Sequence, residues 1–121
     1  MHIPALVPVL TVSVQPQTGK ALNRFPYNTF TLRCIASTSR NVVLQKLFVW
    51  RYQGYIITDN GDTILISDYN TSMQQSTSEL TVNGNAVGIY SYLCTVSISV
   101  PGGHDVFAYN TGTVTVKGNA I

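Results

Sequence analysis

The segment from Tyr90 to Val100 restricts the fold most strongly, because its side chains alternate strictly along its length. One set of positions holds Tyr90, Tyr92, Cys94, Val96, Ile98 and Val100, and the other holds Ser91, Leu93, Thr95, Ser97 and Ser99. A period of two is typical of a β-strand with one buried face. The segment from Phe30 to Ser37 repeats this pattern around Cys34. The sequence therefore predicts that both cysteines lie on the apolar face of a strand.

Shorter segments of the same kind are separated by turn signals along the rest of the chain. The further predicted strands are Leu10–Val14, Phe48–Tyr52, Ile64–Ser67, Glu79–Val82 and Val106–Val116. Asn60-Gly61 is a strong turn signal, because both central residues of a two-residue hairpin turn adopt positive φ. Asn83-Gly84-Asn85 and Pro101-Gly102-Gly103 are similar signals. About seven short strands without a segment of helical period predict an all-β, two-sheet antiparallel sandwich.

The composition agrees with an all-β domain and argues against highly charged partners. The 121 residues include 24 Ser and Thr and nine Asn but only 10% charged residues, against about 25% in an average globular protein. Hydroxyl and β-branched side chains suit a pleated sheet better than a helix. The formal charge is +2, and the seven Lys and Arg are spread singly along the chain. We therefore expect no nucleic-acid partner and no binding to a membrane surface.

The length predicts one domain over residues 1–121, with a core at about 10–117 and with 1–9 and 118–121 as terminal extensions. The apolar run from Ile3 to Val14 contains two prolines and is shorter than the roughly 18 residues that a transmembrane helix requires. No Lys or Arg precedes this run, which argues against a signal peptide. We expect a fragment of a longer extracellular chain, part of a protein that crosses the membrane once elsewhere.

Cys34 and Cys94, the only two cysteines, are 60 positions apart (94 − 34) and both face inward on their predicted strands. A disulfide between them would join the two sheets, would contribute about 4 kcal/mol by the chain-entropy argument, and would indicate an oxidising compartment. The alternative is two separate buried thiols in a cytosolic domain. Trp50 is placed to pack against the sulfurs. Tyr92 shares the face of Cys94, and we expect its hydroxyl to bond the backbone near residues 85–87, as in a tyrosine corner.

The order of these residues resembles the immunoglobulin superfamily over roughly residues 10–117. The residues that carry the resemblance are Cys34, Trp50, Leu80, Val82, Tyr92 and Cys94, in the order Cys, Trp, Leu-x-Val, Tyr-x-Cys. The resemblance implies an immunoglobulin-like sandwich with Trp50, Leu80, Val82 and Tyr92 in its structural core. Residues 50–54 are similar to the third strand of an intermediate-set domain, and residues 112–116 to the last strand of a variable-type domain. The chain departs from the family at Gly88 and Tyr90, where the family usually has an acidic residue and a glycine.

The resemblance implies a domain of the ectodomain of a cell-surface receptor or adhesion protein, a class that includes receptor tyrosine kinases. Its expected partners are a protein ligand or a second copy of the domain, together with adjacent immunoglobulin domains of the parent chain. One alternative is a secreted or surface immune-type variable domain. Another is a structural spacer in a multi-domain array, which in an intracellular muscle-type array would keep both cysteines reduced.

Residues that could carry catalysis or bind a cofactor are scarce. The chain has two histidines, His2 and His104, and both cysteines are assigned to the disulfide, so neither a catalytic triad nor a zinc site is expected. The segment from Asp59 to Asp62 offers oxygen atoms but lacks the spacing of a calcium loop, and a turn is the favoured interpretation. No glycine-rich phosphate loop leads from a strand into a helix. We expect no enzyme activity, no cofactor and no metal.

Two candidate interfaces follow from the alternation. When Trp50 and Cys94 face inward, the residues that face outward on the same sheet are Leu47, Val49, Arg51 and Leu93. Apolar residues with an arginine among them are typical of an interaction surface, although scattered surface residues or packing against a neighbouring domain would also account for them. The second candidate is the hairpin tip at residues 101–105 with Phe107 and Tyr109 beyond it. Asn70 begins an Asn-x-Ser motif and is a glycosylation candidate; an unmodified loop is the alternative.

Overall fold

The computed structural model of the protein describes residues 9–16, 29–39 and 45–116. Within these ranges the chain forms eight β-strands and no helix. The strands are β1 (Leu10–Pro16), β2 (Phe30–Thr38), β3 (Lys46–Tyr52), β4 (Tyr55–Ile57), β5 (Ile64–Asn70), β6 (Gln75–Val82), β7 (Gly88–Ile98) and β8 (Val106–Val116). Of the predicted terminal extensions, residues 1–9 and 118–121, the structure describes Val9 alone. His2 therefore also lies outside the described residues.

The eight strands form two antiparallel sheets that pack against each other. One sheet has the strand order β1-β2-β6-β5, and the other has the order β4-β3-β7-β8. Cys34 in β2 and Cys94 in β7 form a disulfide between the sheets, with their Cα atoms 6.4 Å apart. The predicted fold class, an all-β two-sheet sandwich with an inter-sheet disulfide, is therefore confirmed, and the alternative of two separate thiols is wrong.

The side chains that alternate inward fill the space between the sheets. Leu80 and both cysteines are fully buried, and Trp50, Val82 and Tyr92 are nearly so. Trp50 pairs directly with Cys94 across β3 and β7, and its Nε1 donates a hydrogen bond of 2.9 Å to Ser78 Oγ on the facing sheet. This bond satisfies a buried indole N–H, which would otherwise lose its solvation without compensation.

The strand β4 was not among the predicted strands. Gln53 and Gly54 both adopt positive φ, at 51° and 84°, so that β3 turns directly back into β4 with Tyr52 paired to Tyr55. Three residues are too few to show a period of two, and Gln-Gly is a weaker turn signal than Asn-Gly, so sequence reasoning had little to detect. The consequence is that Ile56 lies beside Arg51 in the sheet.

The tyrosine corner is formed by a different tyrosine from the one predicted. Tyr90 Oη donates a hydrogen bond of 2.7 Å to the carbonyl oxygen of Ala86. Asn85 holds the same corner, because its Nδ2 donates to the carbonyl of Val82 at 2.9 Å. The predicted backbone target was right, but Tyr92 was the wrong donor. Both tyrosines point inward from β7, and Tyr90 lies two residues nearer than Tyr92 to the corner at the beginning of the strand.

In the turn from Asp59 to Asp62, side-chain oxygens accept hydrogen bonds from backbone amides of the turn and of β5. Gly61 has a φ of 75°, and Asp59 Oδ1 accepts a hydrogen bond from its amide at 2.7 Å. Asp59 Oδ2 accepts from the amide of Ile66 at 2.8 Å, and Asn60 Oδ1 accepts from the amides of Asp62 and Ile64. The side-chain oxygens of Asp59 and Asn60 are therefore used as acceptors for the turn and for the edge of β5. The prediction of a turn matches the structure, but the prediction of a two-residue hairpin turn is wrong: Gly61 has a positive φ and Asn60 does not, and the flanking strands β4 and β5 belong to different sheets.

Candidate functional site

The outward-facing residues of β3, β4, β7 and β8 bring the two predicted interfaces together. Strand pairing places Leu47 in one row with Ser97 and Phe107, and places Val49 in the next row with Thr95 and Tyr109. A third row contains Ile56, Arg51, Leu93 and Thr111. We call the set Leu47, Val49, Arg51, Ile56, Leu93, Phe107 and Tyr109 the apolar patch. The two candidates are neighbouring parts of one sheet face, which the alternation in single strands could not show.

The apolar patch is exposed at its margins and partly covered at its centre. The exposed fractions are 61% for Ile56 on β4, 65% for Phe107 and 71% for Tyr109 on β8, and 62% for Leu47 near the beginning of β3. Val49, Arg51 and Leu93, which lie between these residues on β3 and β7, are half-buried. Monomeric proteins normally scatter their exposed apolar residues, so contiguous ones mark an interaction site.

Arg51 is the cation of the apolar patch, and it has no acidic partner in the described part of the chain. Its Nη1 donates a hydrogen bond of 3.2 Å to Thr95 Oγ1, which directs the guanidinium along the sheet face. The ion pair found among residues 9–16, 29–39 and 45–116 is between Arg33 and Glu79, on the other sheet. Arg51 is therefore available to pair with a carboxylate from outside the domain.

Asp105 lies next to the hairpin-tip end of this face. It immediately precedes β8 and is exposed. Extending the alternation of Phe107 and Tyr109 by one further pair of residues assigns position 105 to the same face. None of the described cations forms an ion pair with it. Sequence reasoning included Asp105 in the hairpin tip but gave its charge no role, because the position of the tip relative to Arg51 depends on the strand pairing.

The remaining part of the face is polar. Ser91 and Thr113 are joined by a hydrogen bond of 2.9 Å between their hydroxyls, and Thr111 and Thr115 are exposed on the same side of β8. Ile89 is the exposed apolar residue at this end, and sequence reasoning did not select it. The face thus has an apolar half next to the hairpin tip and a hydroxyl-rich half at the opposite end.

The outer face of the other sheet is organised differently. Arg33 Nη2 and Tyr69 Oη both approach Glu79 Oε1, at 3.1 Å and 2.6 Å. The hydrogen bond to the Glu79 carboxylate raises the pKa of Tyr69 above its ordinary value. Thr31 and Thr81 add a hydroxyl pair at 3.0 Å. The polar groups of this face therefore bind one another, whereas the apolar patch presents exposed apolar side chains to the surroundings.

A groove lies between the beginning of β3 and the end of β5. Its lining includes Lys46, Phe48, Asp68, Met73 and Asn70. Partial burial lowers the pKa of the Lys46 ammonium. Asn70, the glycosylation candidate, is exposed, and its Oδ1 accepts a hydrogen bond of 2.7 Å from Ser76 Oγ. Asn70 belongs to the sheet that does not carry the apolar patch.

The described residues contain no group of three or more His, Cys, Asp or Glu side chains arranged to hold a metal ion. His104, the one histidine in these ranges, is exposed beside the hairpin tip. Where the chain is described, it has no helix of the length and hydropathy needed to cross a membrane. The apolar patch presents exposed apolar side chains together with the guanidinium of Arg51.

The chain matches no protein-family model and none of the curated proteins with which it was compared. The architecture itself, two antiparallel sheets joined by a disulfide with a tryptophan beside it, is compatible with an immunoglobulin-like fold.

Proposed function

We propose that this chain is an extracellular immunoglobulin-like domain of a cell-surface protein and that it acts by non-covalent protein recognition through the apolar patch. One observation carries the proposal: exposed apolar side chains are contiguous on one sheet with an arginine that has no acidic partner among the described residues, whereas the polar side chains of the opposite sheet bind one another. Apolar residues around a half-buried arginine have the composition of an interface core.

The inter-sheet disulfide supports an extracellular location, because such bonds persist in oxidising compartments. The parent would be a receptor or an adhesion protein, with a receptor tyrosine kinase as one possibility and with sister immunoglobulin domains in the same chain. The domain itself has no enzyme activity in this proposal and needs no cofactor. A glycan on Asn70 would be attached to the opposite sheet and would leave the apolar patch uncovered.

A second candidate, an immune-type variable domain, is favoured by one observation. The strand β4 adds a fourth member to the sheet of β3, β7 and β8, and variable-type domains extend that sheet in the same direction. In this candidate, recognition would lie in the loops at one end of the sandwich, which include the hairpin tip at residues 101–105 between β7 and β8. Substitutions in that tip, and not in the apolar patch, would therefore test it.

The test measures adhesion of beads coated with the domain, both to one another and to cultured cells. The variant Leu47→Glu with Phe107→Glu places two charges in the apolar patch at exposed positions. The matched control is Leu65→Glu, an exposed leucine on the opposite sheet. We expect the double variant to lose bead or cell binding and the control to keep it.

Two results would overturn the proposal. One is binding that the double variant retains at the strength of the wild type. The other is the absence of binding, to beads and to cells alike, by wild-type domain whose circular dichroism shows that it is folded.

A further inference from the structure

We infer that the apolar patch binds the same face of a second copy of this chain, in a two-fold dimer that is held by two reciprocal pairs of Arg51 with Asp105. This inference rests on the proposed recognition function and specifies the partner. Its basis is the distribution of charge on the face: one cation and one carboxylate, neither in an ion pair within the described residues, lie on opposite sides of an exposed apolar centre.

The acidic residues of the chain show why Asp105 is the relevant carboxylate. There are five Asp and Glu residues in all. Glu79 pairs with Arg33, and Asp59 accepts two backbone amides. Asp62 lies in the turn before β5, and Asp68 lines the groove beside β5. Asp105 is the acid that shares a face with Arg51.

The strand register gives the separation of the two charges. Arg51 lies in the row of Leu93 and Thr111. Asp105 precedes Thr111 by six residues (111 − 105) and lies directly before β8, which is two strands away from β3. At about 3.4 Å per residue and about 4.8 Å per strand, the offset is roughly 20 Å along the strands and 10 Å across them. The two charges of one copy are therefore too far apart to pair with each other.

A two-fold axis midway between these charges pairs them across the dimer. In a symmetric interface, when one residue contacts a second residue of the other copy, the reverse contact forms as well. Arg51 of each copy then meets Asp105 of the other. An axis placed over Arg51 itself would instead bring two like charges together, which is unfavourable. The positions of the charges thus select one arrangement of the two faces.

The exposed apolar side chains lie around the proposed two-fold axis, between the two ion pairs. The midpoint between Arg51 and Asp105 falls between the row of Leu47 and Phe107 and the row of Val49 and Tyr109. Closing the interface would bury the exposed members of these rows against their copies and would exclude water from both ion pairs. Burial of the apolar centre supplies the favourable free energy, and the paired charges determine the orientation.

The test is sedimentation velocity of the whole chain over a wide concentration range. The variants are Arg51→Glu, Asp105→Lys, both changes in one chain, and an equimolar mixture of the two single variants. The control Asp62→Lys changes the net charge as Asp105→Lys does, but lies in the turn before β5. We expect each single variant to weaken dimerisation by about 30-fold or more, because it sets like charges against each other twice. The control should stay within about threefold of the wild type.

Restoration is the decisive result. Arg51→Glu with Asp105→Lys in one chain exchanges the two charges, so that opposite charges again meet across the dimer. The mixture of single variants forms heterodimers in which the charges are likewise opposite, so we expect both samples to dimerise to within about tenfold of the wild type. Failure of both to recover would overturn the reciprocal pairing.

The wild type provides a separate check on the dimer itself. A chain that stays monomeric at about 1 mM would overturn the inference that the domain dimerises. If that monomer still binds cells through Leu47 and Phe107, the proposed function stands and only the self-pairing is wrong.

Discussion

At the residue scale, Tyr90 and Tyr92 share one face of β7 but have different surroundings. Tyr90 donates its hydroxyl to the corner carbonyl of Ala86. The Tyr92 ring is buried, with its centroid 4.7 Å from that of Tyr52 and 5.8 Å from that of Phe30. Burial, together with the neighbouring phenols of Tyr52 and Tyr90, raises the pKa of Tyr92 to about 12. Two side chains with the same sequence pattern therefore stabilise the domain in different ways.

The first prediction separates these roles at neutral pH. Tyr90→Phe removes a hydrogen bond of 2.7 Å while keeping the ring, so we expect a loss of about 1 kcal/mol in the free energy of unfolding. Tyr92→Phe should cost less, because the hydrogen bond that closes the corner belongs to Tyr90. Urea unfolding of both variants measures the difference. A larger loss for Tyr92→Phe would show that the corner depends on Tyr92 after all.

The second prediction concerns alkaline pH. The pKa of Tyr92 is about 12 in the folded domain and about 10 in an unfolded chain. The unfolded state therefore releases its proton first, and the stabilisation is complete below about pH 10 and is lost as the pH rises towards 12. We expect the free energy of unfolding to fall by about 1 kcal/mol over this window, which is less than the full difference in pKa implies, because the hydroxyl is partly screened by solvent. Tyr92→Phe should flatten the decline, and Tyr55→Phe, at an exposed position of β4, should not.

At the element scale, β1 and β5 show how the edges of the first sheet are held. β1 packs against β8 of the other sheet, where Asn110 Nδ2 donates to the carbonyl of Val12 at 3.0 Å. A side chain at Gly112 would collide with Val14 and come within 3.2 Å of Leu32 Cδ2. The close approach of these strands therefore requires a glycine, and the two sheets nearly meet along this line.

Replacement of Gly112 by alanine should destabilise the domain by about 1–3 kcal/mol, because the added methyl overpacks the contact with Val14. Gly103→Ala is a suitable control, since its new methyl would lie 3.5 Å from Val100 Cγ1, an ordinary contact. Thermal unfolding compares the two variants. The additional change Val14→Ala should recover part of the loss in the Gly112 variant; a double variant that is simply less stable would contradict the steric explanation.

The edge strand β5 is protected by the turn that precedes it. Asp59 accepts the Ile66 amide, a group that would otherwise be an open donor at the sheet edge. We expect Asp59→Ala to lower the free energy of unfolding by about 1–2 kcal/mol, since two backbone amides lose their acceptor. Asp62→Ala removes the same charge from the same turn and should have little effect. Denaturant unfolding tests this, and equal losses for both variants would point to net charge instead.

At the scale of the whole molecule, the disulfide joins two sheets whose outer faces differ in composition. The disulfide crosses the core from β2 to β7, next to Trp50. The sheet of β1, β2, β6 and β5 turns a polar face outward, with Arg33, Glu79 and Tyr69 bound to one another. The other sheet presents the apolar patch. The two outer faces therefore differ: one presents polar groups that bind one another, and the other presents exposed apolar side chains.

The redox state of the cysteines tests the extracellular assignment. We expect protein isolated from its source, with thiols blocked during extraction, to show no reactive thiol after unfolding. Replacing Cys34 and Cys94 by alanine should lower the free energy of unfolding by about 4 kcal/mol, since the disulfide closes a loop of 60 positions. Two reactive thiols in the unfolded native protein would instead support a spacer role in an intracellular array.

Much of the fold was predictable from sequence because period-two alternation depends on burial of one strand face, which is written directly into local sequence. The inward positions of Cys34, Cys94 and Trp50 are of this kind. The turn at Asn60-Gly61 was predictable for a different reason, namely the local turn preference of Asn and Gly. The short β4 was not predictable, because three residues carry no measurable period.

The sequence by itself determined the alternating strands, the inward direction of both cysteines and the outward direction of the candidate interface residues, since each of these follows from neighbours along one strand. Only the tertiary structure decided that Cys34 and Cys94 form a disulfide, that Leu47, Phe107 and Tyr109 lie on one sheet face, and that Tyr90 rather than Tyr92 reaches the corner. These properties depend on which strands pair and in which register. Pairing is set by contacts between residues far apart in the chain, and a local pattern does not encode it.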